Sequence, residues 1–182
     1  MILVTGATGL VGAHLLAKLL QSEQNLRALF RSEPKLQATK KIFTYYFGED
    51  TDRYFSKITW FKADISDIPA LTEAFEGVSQ VYHCAGLVSF DPKDYHKLRK
   101  INIEGTANVV NLCLEFKVEK LCHVSSIATL SKEPDNKPVT ENSTFSHNGN
   151  SVYAITKFGA EMEVWRGSQE GLDVTIVNPG VI

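Results

Sequence analysis

Val4-Thr5-Gly6-Ala7-Thr8-Gly9-Leu10-Val11-Gly12 follows a short apolar run, Ile2 to Val4, and leads into Leu10, Val11, Leu15, Leu16, Leu19 and Leu20 at helical spacing. A buried strand, a glycine turn and a helix in that order predict a dinucleotide-binding loop. Gly6, Gly9 and Gly12 supply backbone without side chains. A tight turn can leave the strand, a pyrophosphate can approach the main chain, and the opening helix can pack closely while its free N–H groups face the anion. The spacing departs from the commoner form, in which one residue separates the first two glycines, and predicts a slightly longer loop. Thr8, Leu10 and Val11 lie inside this loop and join the three glycines as candidate cofactor contacts.

At 182 residues, 43% hydrophobic and 22% charged, the chain has ordinary globular composition and is read as one domain over 1–182. No apolar run approaches the roughly 20 residues of a membrane helix. The chain opens on a strand rather than a basic, apolar leader, so a cytoplasmic protein without a membrane partner is expected. A net charge of −2 gives no global reason to expect nucleic acid. Cys84, Cys113 and Cys122 are widely spaced within apolar stretches. They read as reduced core thiols, with neither a disulfide framework nor a metal site.

Strand-like runs at Leu26–Phe30, Ile58–Phe61, Gln80–Cys84, Lys120–Ser125 and Val174–Val177 follow the first strand. Helical patterns over about Leu10–Gln21, Ile68–Phe75, Tyr95–Phe116 and Ser151–Glu170 alternate with them. This alternation predicts an α/β, doubly wound parallel sheet, the Rossmann fold, and right-handed crossovers predict the order 3-2-1-4-5-6. Ser32–Lys57 is long for a strand connection and should hold a helix with an aromatic face. Ser131–Gly149, polar and containing Pro134 and Pro138, reads as a loop and a candidate wall or lid of a substrate cleft.

Tyr153-Ala154-Ile155-Thr156-Lys157 places a phenol and an ammonium four residues apart, on one helix face. A tyrosine near pKa 10 exchanges protons poorly at neutral pH, and bringing it to about 7 requires roughly 4 kcal/mol. One cation at about 4 Å supplies a comparable amount at an effective dielectric of about 20. Ser126 follows the strand Lys120–Ser125 at the carboxyl edge of the sheet, where open α/β sheets bind ligands. Its hydroxyl can hold a carbonyl or alcohol with which a neighbouring tyrosine exchanges a proton. His14, His83, Trp60 and Trp165 are read as structural.

Together, Thr5-Gly6-x-x-Gly9-x-x-Gly12, Tyr82-His83-Cys84-Ala85-Gly86, Asn102-Ile103-Glu104-Gly105-Thr106-x-Asn108, Ser125-Ser126, Tyr153-x-x-x-Lys157 and Asn178-Pro179-Gly180 resemble the ordered motifs of the extended short-chain dehydrogenase/reductase family, which includes NAD-dependent epimerases and dehydratases. The resemblance implies that Ser126 is the catalytic serine and Tyr153 the acid/base. It implies that Lys157 holds the nicotinamide ribose and lowers the tyrosine pKa, and that Asn102 supports helix geometry and a proton-relay water. It further implies that Ala85 and Gly86, with Leu87 beside them, pass under the cofactor ribose. Asp64 and Ile65 would flank adenine, and Pro179 to Val181 would border the nicotinamide amide. Extended members continue into a second lobe that builds most of the substrate pocket, so the substrate lobe is expected to be missing or truncated, leaving an exposed apolar patch at its seat. The resemblance also implies a homodimer through the helices around Tyr95–Phe116 and Ser151–Glu170.

Arg31 lies nineteen residues beyond Gly12, where an acidic residue would bind the ribose 2′-hydroxyl of NAD. A guanidinium there predicts NADP(H), with NAD(H) as second choice because Glu33 is close by. Arg31, the run Arg27-Ala28-Leu29-Phe30-Arg31 and Val177-Asn178-Pro179 resemble the dihydroflavonol-reductase-like branch. The expected activity is NADPH-dependent hydride transfer to a small-molecule carbonyl, or the reverse from a secondary alcohol, with Tyr153 as acid/base. Two alternatives are a nucleotide-sugar epimerase or dehydratase with tightly bound NAD, and a non-catalytic NADP-binding regulator.

Overall fold

The computed structural model describes residues 1–22, 25–131, 138–146 and 149–182. Its six strands are β1 (Ile2–Thr5), β2 (Leu26–Phe30), β3 (Thr59–Lys62), β4 (Gln80–His83), β5 (Lys120–Val124) and β6 (Val174–Val177). All are parallel, in the expected order 3-2-1-4-5-6. The helices are α1 (Leu10–Leu20), α2 (Glu33–Phe47), α3 (Thr51–Phe55), α4 (Ile68–Ala74), α5 (Tyr95–Leu98), α6 (Gly105–Glu115) and α7 (Val152–Gln169).

Alternate residues of each strand serve two cores, as a pleat requires. Leu3, Leu29, Val81 and Leu121 face α4, α6 and α7 through Leu71, Phe75, Val109, Val110, Cys113 and Val164. Ile2, Val4, Leu26 and Ala28 face α1, α2 and α3 through Leu16, Ala17, Leu20 and Phe43. β1 is buried along its whole length because both faces are covered. On the second face the helices pack over β1 to β3. Toward β6 the sheet is open among the described residues: a cavity of about 170 Å³ lies against Tyr82, Lys120, Cys122 and Thr175. Val177 is 42% exposed.

The long β2–β3 connection is α2, a short turn and α3, packed by aromatic rings. Phe43 is fully buried with Phe55 edge-on at 5.3 Å, and Phe47 stacks on Tyr54 at 4.0 Å. Lys40 pairs with Asp52 across the two helices. Within β2, Arg27 points out of the strand and donates to the carbonyls of Ala74 and Glu76 at 2.8 and 2.9 Å, closing the free C-terminal end of α4.

One element departs from the sequence reading. Tyr95–Phe116 is not a continuous α-helix, because a π-helical segment, Arg99–Glu104, joins α5 to α6. The extra residue per turn rotates Asn102 into the interior. Apolar periodicity cannot show this, since residues on both sides keep a helical pattern. Ser151 caps α7 by accepting from the Ala154 N–H at 3.2 Å, which starts that helix where expected.

Gly6 governs how β1 meets the rest of the sheet. Its φ is +64°, and a Cβ there would lie 2.5 Å from the amide nitrogen of Ala85. Gly77 has a similar φ of +70° but nothing within 4 Å. Both Gly6→Ala and Gly77→Ala pay the left-handed backbone cost of about 1–2 kcal/mol, whereas only the first must separate two backbones. Urea unfolding is expected to show Gly6→Ala losing at least about 2 kcal/mol more than Gly77→Ala. Equal losses would mean that this contact relaxes freely.

Candidate functional site

The carboxyl ends of β1, β4, β5 and β6 converge on one cleft of about 710 Å³. The glycine loop forms one wall with Gly6, Gly9, Leu10, Val11 and Gly12. Gly86 and Leu87, beyond β4, form its floor. Ser126, Tyr153 and Lys157 meet there with the turn Pro179, Gly180 and Val181. A smaller cavity of about 140 Å³ continues from it past Thr8, Arg31, Asp64, Ile65 and Ala85. Every residue predicted as a cofactor contact therefore lines one of two adjoining spaces.

The lining fits a dinucleotide. α1 begins at Gly9, whose backbone leaves the first N–H groups without a side-chain cap and without an acidic neighbour in the first turn. Gly12 packs that helix down on the loop, where a Cβ would sit 2.4 Å from the Gly6 carbonyl oxygen. At the other end of the cleft, the Ser125 hydroxyl is buried with no hydrogen-bond partner among the described residues. A buried hydroxyl without a partner costs free energy that a bound polar group would offset.

Lys157 is nearly fully buried. Its ammonium donates to the Val124 carbonyl at 2.9 Å, which leaves two N–H groups for the cleft. Burial lowers its pKa to about 8, against the opposing effects of Glu161 and Cys84. Tyr153 lies one helical turn away, with the Phe90 ring edge-on at 5.6 Å. Ser126 turns the chain out of β5, its Oγ accepting from the Ala128 N–H at 3.1 Å. The Cys84 thiol, also in the wall, is pushed by burial up to about 12, so it stays protonated and unreactive.

Asn102 sits behind this surface, not on it. Its Oδ1 accepts from the Leu87 N–H at 2.8 Å, and its Nδ2 donates to the Leu87 carbonyl at 3.0 Å and to Thr156 Oγ1 at 3.1 Å. It clamps the backbone of Leu87, where the resemblance had implied support of helix geometry and a proton-relay water at the catalytic group. The described residues of the Ser131–Gly149 loop do not line the cleft, contrary to the expected wall or lid. Phe145 there stacks on Phe158 of α7 at 4.2 Å. Residues 132–137, including Pro134, and 147–148 lie outside the described residues.

In the smaller cavity Arg31 pairs with Asp64 at 3.2 Å. Burial raises the Asp64 pKa, but hydrogen bonds from the Ser66 amide and hydroxyl and the Arg31 charge outweigh it, and the carboxyl is held below its ordinary value. Lys35, on the first turns of α2, lines the same space. The sequence reading missed it, although its position four residues after Arg31 on a helix start was a usable signal. Glu33, the competing acidic residue, does not line the cavity.

A polar chain ties the glycine loop to Asn102 through His83. Thr106 Oγ1 donates to the Asn102 carbonyl at 2.5 Å, so it accepts from His83 Nε2 at 2.9 Å. His83 Nδ1 then accepts from Thr5 Oγ1 at 2.7 Å, and Thr5 Oγ1 accepts from the Ala85 N–H at 3.3 Å. Each hydroxyl has one proton, and this assignment leaves the imidazole neutral with its hydrogen on Nε2. Burial, reinforced by Lys157, lowers the His83 pKa to about 3. His123 lies beside it at 5.1 Å between ring centroids and is lowered in the same direction by burial, Lys157 and His83.

The arrangement defines a class: a nucleotide-binding Rossmann domain of the extended short-chain dehydrogenase/reductase type. The chain belongs to the NAD-binding family described as "Male sterility protein", whose model matches residues 4–182. "Sterol demethylase protein B" of Methylococcus capsulatus is 30% identical over 180 residues, covering 99% of this chain and 51% of its own length. The "Bifunctional dihydroflavonol 4-reductase/flavanone 4-reductase" of Malus domestica is 28% identical, covering 98% and 53%. A short-chain dehydrogenase/reductase superfamily protein from Agrobacterium tumefaciens, solved with bound NAD, superposes with a TM-score of 0.77 at 26% identity over 98% of this chain and 48% of that one. The chain spans about half the length of the curated relatives it matches. The curated relatives also include the "Cinnamoyl-CoA reductase 1" of Petunia hybrida, 28% identical over 98% of this chain and 53% of its own length. Among the described residues no helix is long and apolar enough to cross a membrane.

A native state that keeps His83 neutral cannot take up the proton that the unfolded chain binds near pH 6.5. Stability is complete above that value and falls as pH drops from 6.5 toward 3. His83 alone is expected to cost about 2 kcal/mol between pH 7 and pH 5. Urea unfolding at the two pH values measures this, and His123→Leu is expected to reduce the loss. Unchanged wild-type stability would contradict buried, neutral imidazoles.

Proposed function

We propose that the chain is the cofactor-binding and proton-transfer portion of an NADPH-dependent oxidoreductase acting on a carbonyl or secondary alcohol. The observation that carries this reading is the meeting of Ser126, Tyr153 and Lys157 in the cleft that the glycine loop and the Pro179 turn enclose. When bound, the nicotinamide supplies the hydride for the carbonyl carbon. Ser126 Oγ donates a hydrogen bond to the carbonyl oxygen, and Tyr153 transfers its phenolic proton to that oxygen as it becomes an alkoxide. Lys157, held by Val124 and still charged below pH 8, stabilises the tyrosinate left behind and can hydrogen-bond a ribose hydroxyl. Asn102 fixes the floor beneath through Leu87.

Arg31 and Lys35 in the smaller cavity support the preference for NADPH. Together they bring two positive charges to a space with one acidic member, Asp64, which is paired with Arg31, so one positive charge is left in excess. A 2′-phosphate suits such a site, and a charge-assisted hydrogen bond of about 1.5–3 kcal/mol corresponds to roughly ten- to a hundredfold in affinity. The apolar walls at Val88, Phe90, Ile127 and Val181 favour an uncharged substrate over a nucleotide sugar.

Calorimetric titration with NADPH and NADH is expected to show at least about tenfold tighter binding of NADPH, with the gap reduced in both Arg31→Ala and Lys35→Ala. Preference for NADH, or NAD that copurifies, would replace this reading with an epimerase or dehydratase. In Tyr153→Phe, NADPH should still bind while oxidation of NADPH by an apolar aldehyde falls at least about a hundredfold. Binding with no turnover in the wild type would leave a non-catalytic NADP-binding protein, and full turnover in Tyr153→Phe would remove the acid/base assignment.

A further inference from the structure

Glu161 is a buried carboxylate that the chemistry above does not use. It lies on α7 one turn beyond Lys157, and its Oε1 accepts from Thr129 Oγ1 at 2.8 Å and from Asn178 Nδ2 at 2.6 Å. Asn178 Nδ2 also donates to the Ser126 carbonyl at 3.2 Å, and Thr129 Oγ1, its single proton directed to Glu161, lies 2.8 Å from the same carbonyl. The turn after β5 and the turn after β6 are joined again by the Ile127 N–H, which donates to the Pro179 carbonyl at 3.0 Å. One carboxylate thus anchors from behind the two turns that present Ser126 and Pro179 to the cleft.

We infer that Glu161 is a positioning residue, whose oxygen holds the Ser126 and Pro179 turns in register while its negative charge balances the Lys157 ammonium on the same helix. A neutral side chain could accept the same hydrogen bonds but could not supply the charge. The titratable groups that face Lys157 are Glu161 and Tyr153 on α7, Cys84 and His83 on and just beyond β4, and His123 on β5. Cys84 is held protonated and both imidazoles are held neutral. Glu161 raises the Lys157 pKa against burial. The significance of the two turns rests on the proposed reductase site, but the anchoring and the charge balance belong to the free protein and are measurable without cofactor.

Two measurements on the chain without ligand test the two parts. Nitrogen-15 NMR of the Lys157 ammonium as a function of pH should give a midpoint near 8 in the wild type, a lower midpoint in Glu161→Gln and an unchanged one in Thr129→Val. Hydrogen exchange of the amides from Ile127 to Leu130 should stay near the wild-type rate in Glu161→Gln, whose oxygen still accepts. It should quicken at least about tenfold in Glu161→Ala and to a smaller extent in Thr129→Val. An unmoved Lys157 midpoint in Glu161→Gln would overturn the charge balance. Wild-type protection in Glu161→Ala, or in Thr129→Val should the alanine variant not fold, would overturn the anchoring. Failure of NADPH to bind would count against the proposed function without altering either readout.

Discussion

The turn after β1 and the turn after β4 lie backbone against backbone, and the rest of the site is arranged around that contact. Gly6 leaves no room for a side chain against Ala85, and Thr5, the residue before it, hydrogen-bonds both Ala85 and His83. β1 has β2 on one side and β4 on the other, so the crossovers from it depart in opposite directions and open a crevice at its carboxyl end. The close approach puts the glycine loop and the Ala85–Leu87 floor at the lip of that crevice. Lengthening either turn, or giving Gly6 a side chain, would separate the walls that face each other across it.

Behind the crevice the polar groups are arranged in two buried networks. The first runs from Ala85 through Thr5, His83 and Thr106 to Asn102, and spans β1, β4 and the π-helical segment. The second runs from Glu161 through Thr129 and Asn178 to the Ser126 carbonyl, and spans α7, β5 and β6. Networks of this kind are costly when partly satisfied and rigid when complete. The first is complete with a neutral imidazole, which explains how a histidine can sit at the centre of the sheet. His123, beside it, has neither ring nitrogen paired among the described residues. The Ser125 hydroxyl is likewise buried without a partner among the described residues, on a residue that lines the cleft.

The large cleft is mainly apolar, with Lys157 as its charged residue, whereas the small one gathers Arg31, Lys35 and Asp64. That division suits a ligand whose reactive end needs a dry surface and whose far end carries phosphate. The sheet face toward β6 is open among the described residues, and Val88, Phe90, Ile127 and Val181 are exposed at the rim of the large cleft.

The strand–glycine–helix order at residues 2–20, the alternation of strands and helices and the positions of Ser126, Tyr153 and Lys157 were legible in the sequence. Each depends on spacing within one element or on a short motif. Strand order followed as well, because handed crossovers leave few topologies for alternating strands and helices. The π-helical segment was not legible, since the direction of Asn102 depends on one inserted residue within an otherwise helical pattern. The roles of Lys35, Thr129, Glu161 and Asn178 were not legible because their partners lie on other elements, and ordinary side chains acquire a role there only through contact. The same reason separates the two levels throughout the chain. Local periodicity and glycine placement determined which elements form and in what order. Packing alone decided which polar groups became buried, which found partners and which faced the cleft, because burial and hydrogen bonding are properties of neighbours distant in sequence.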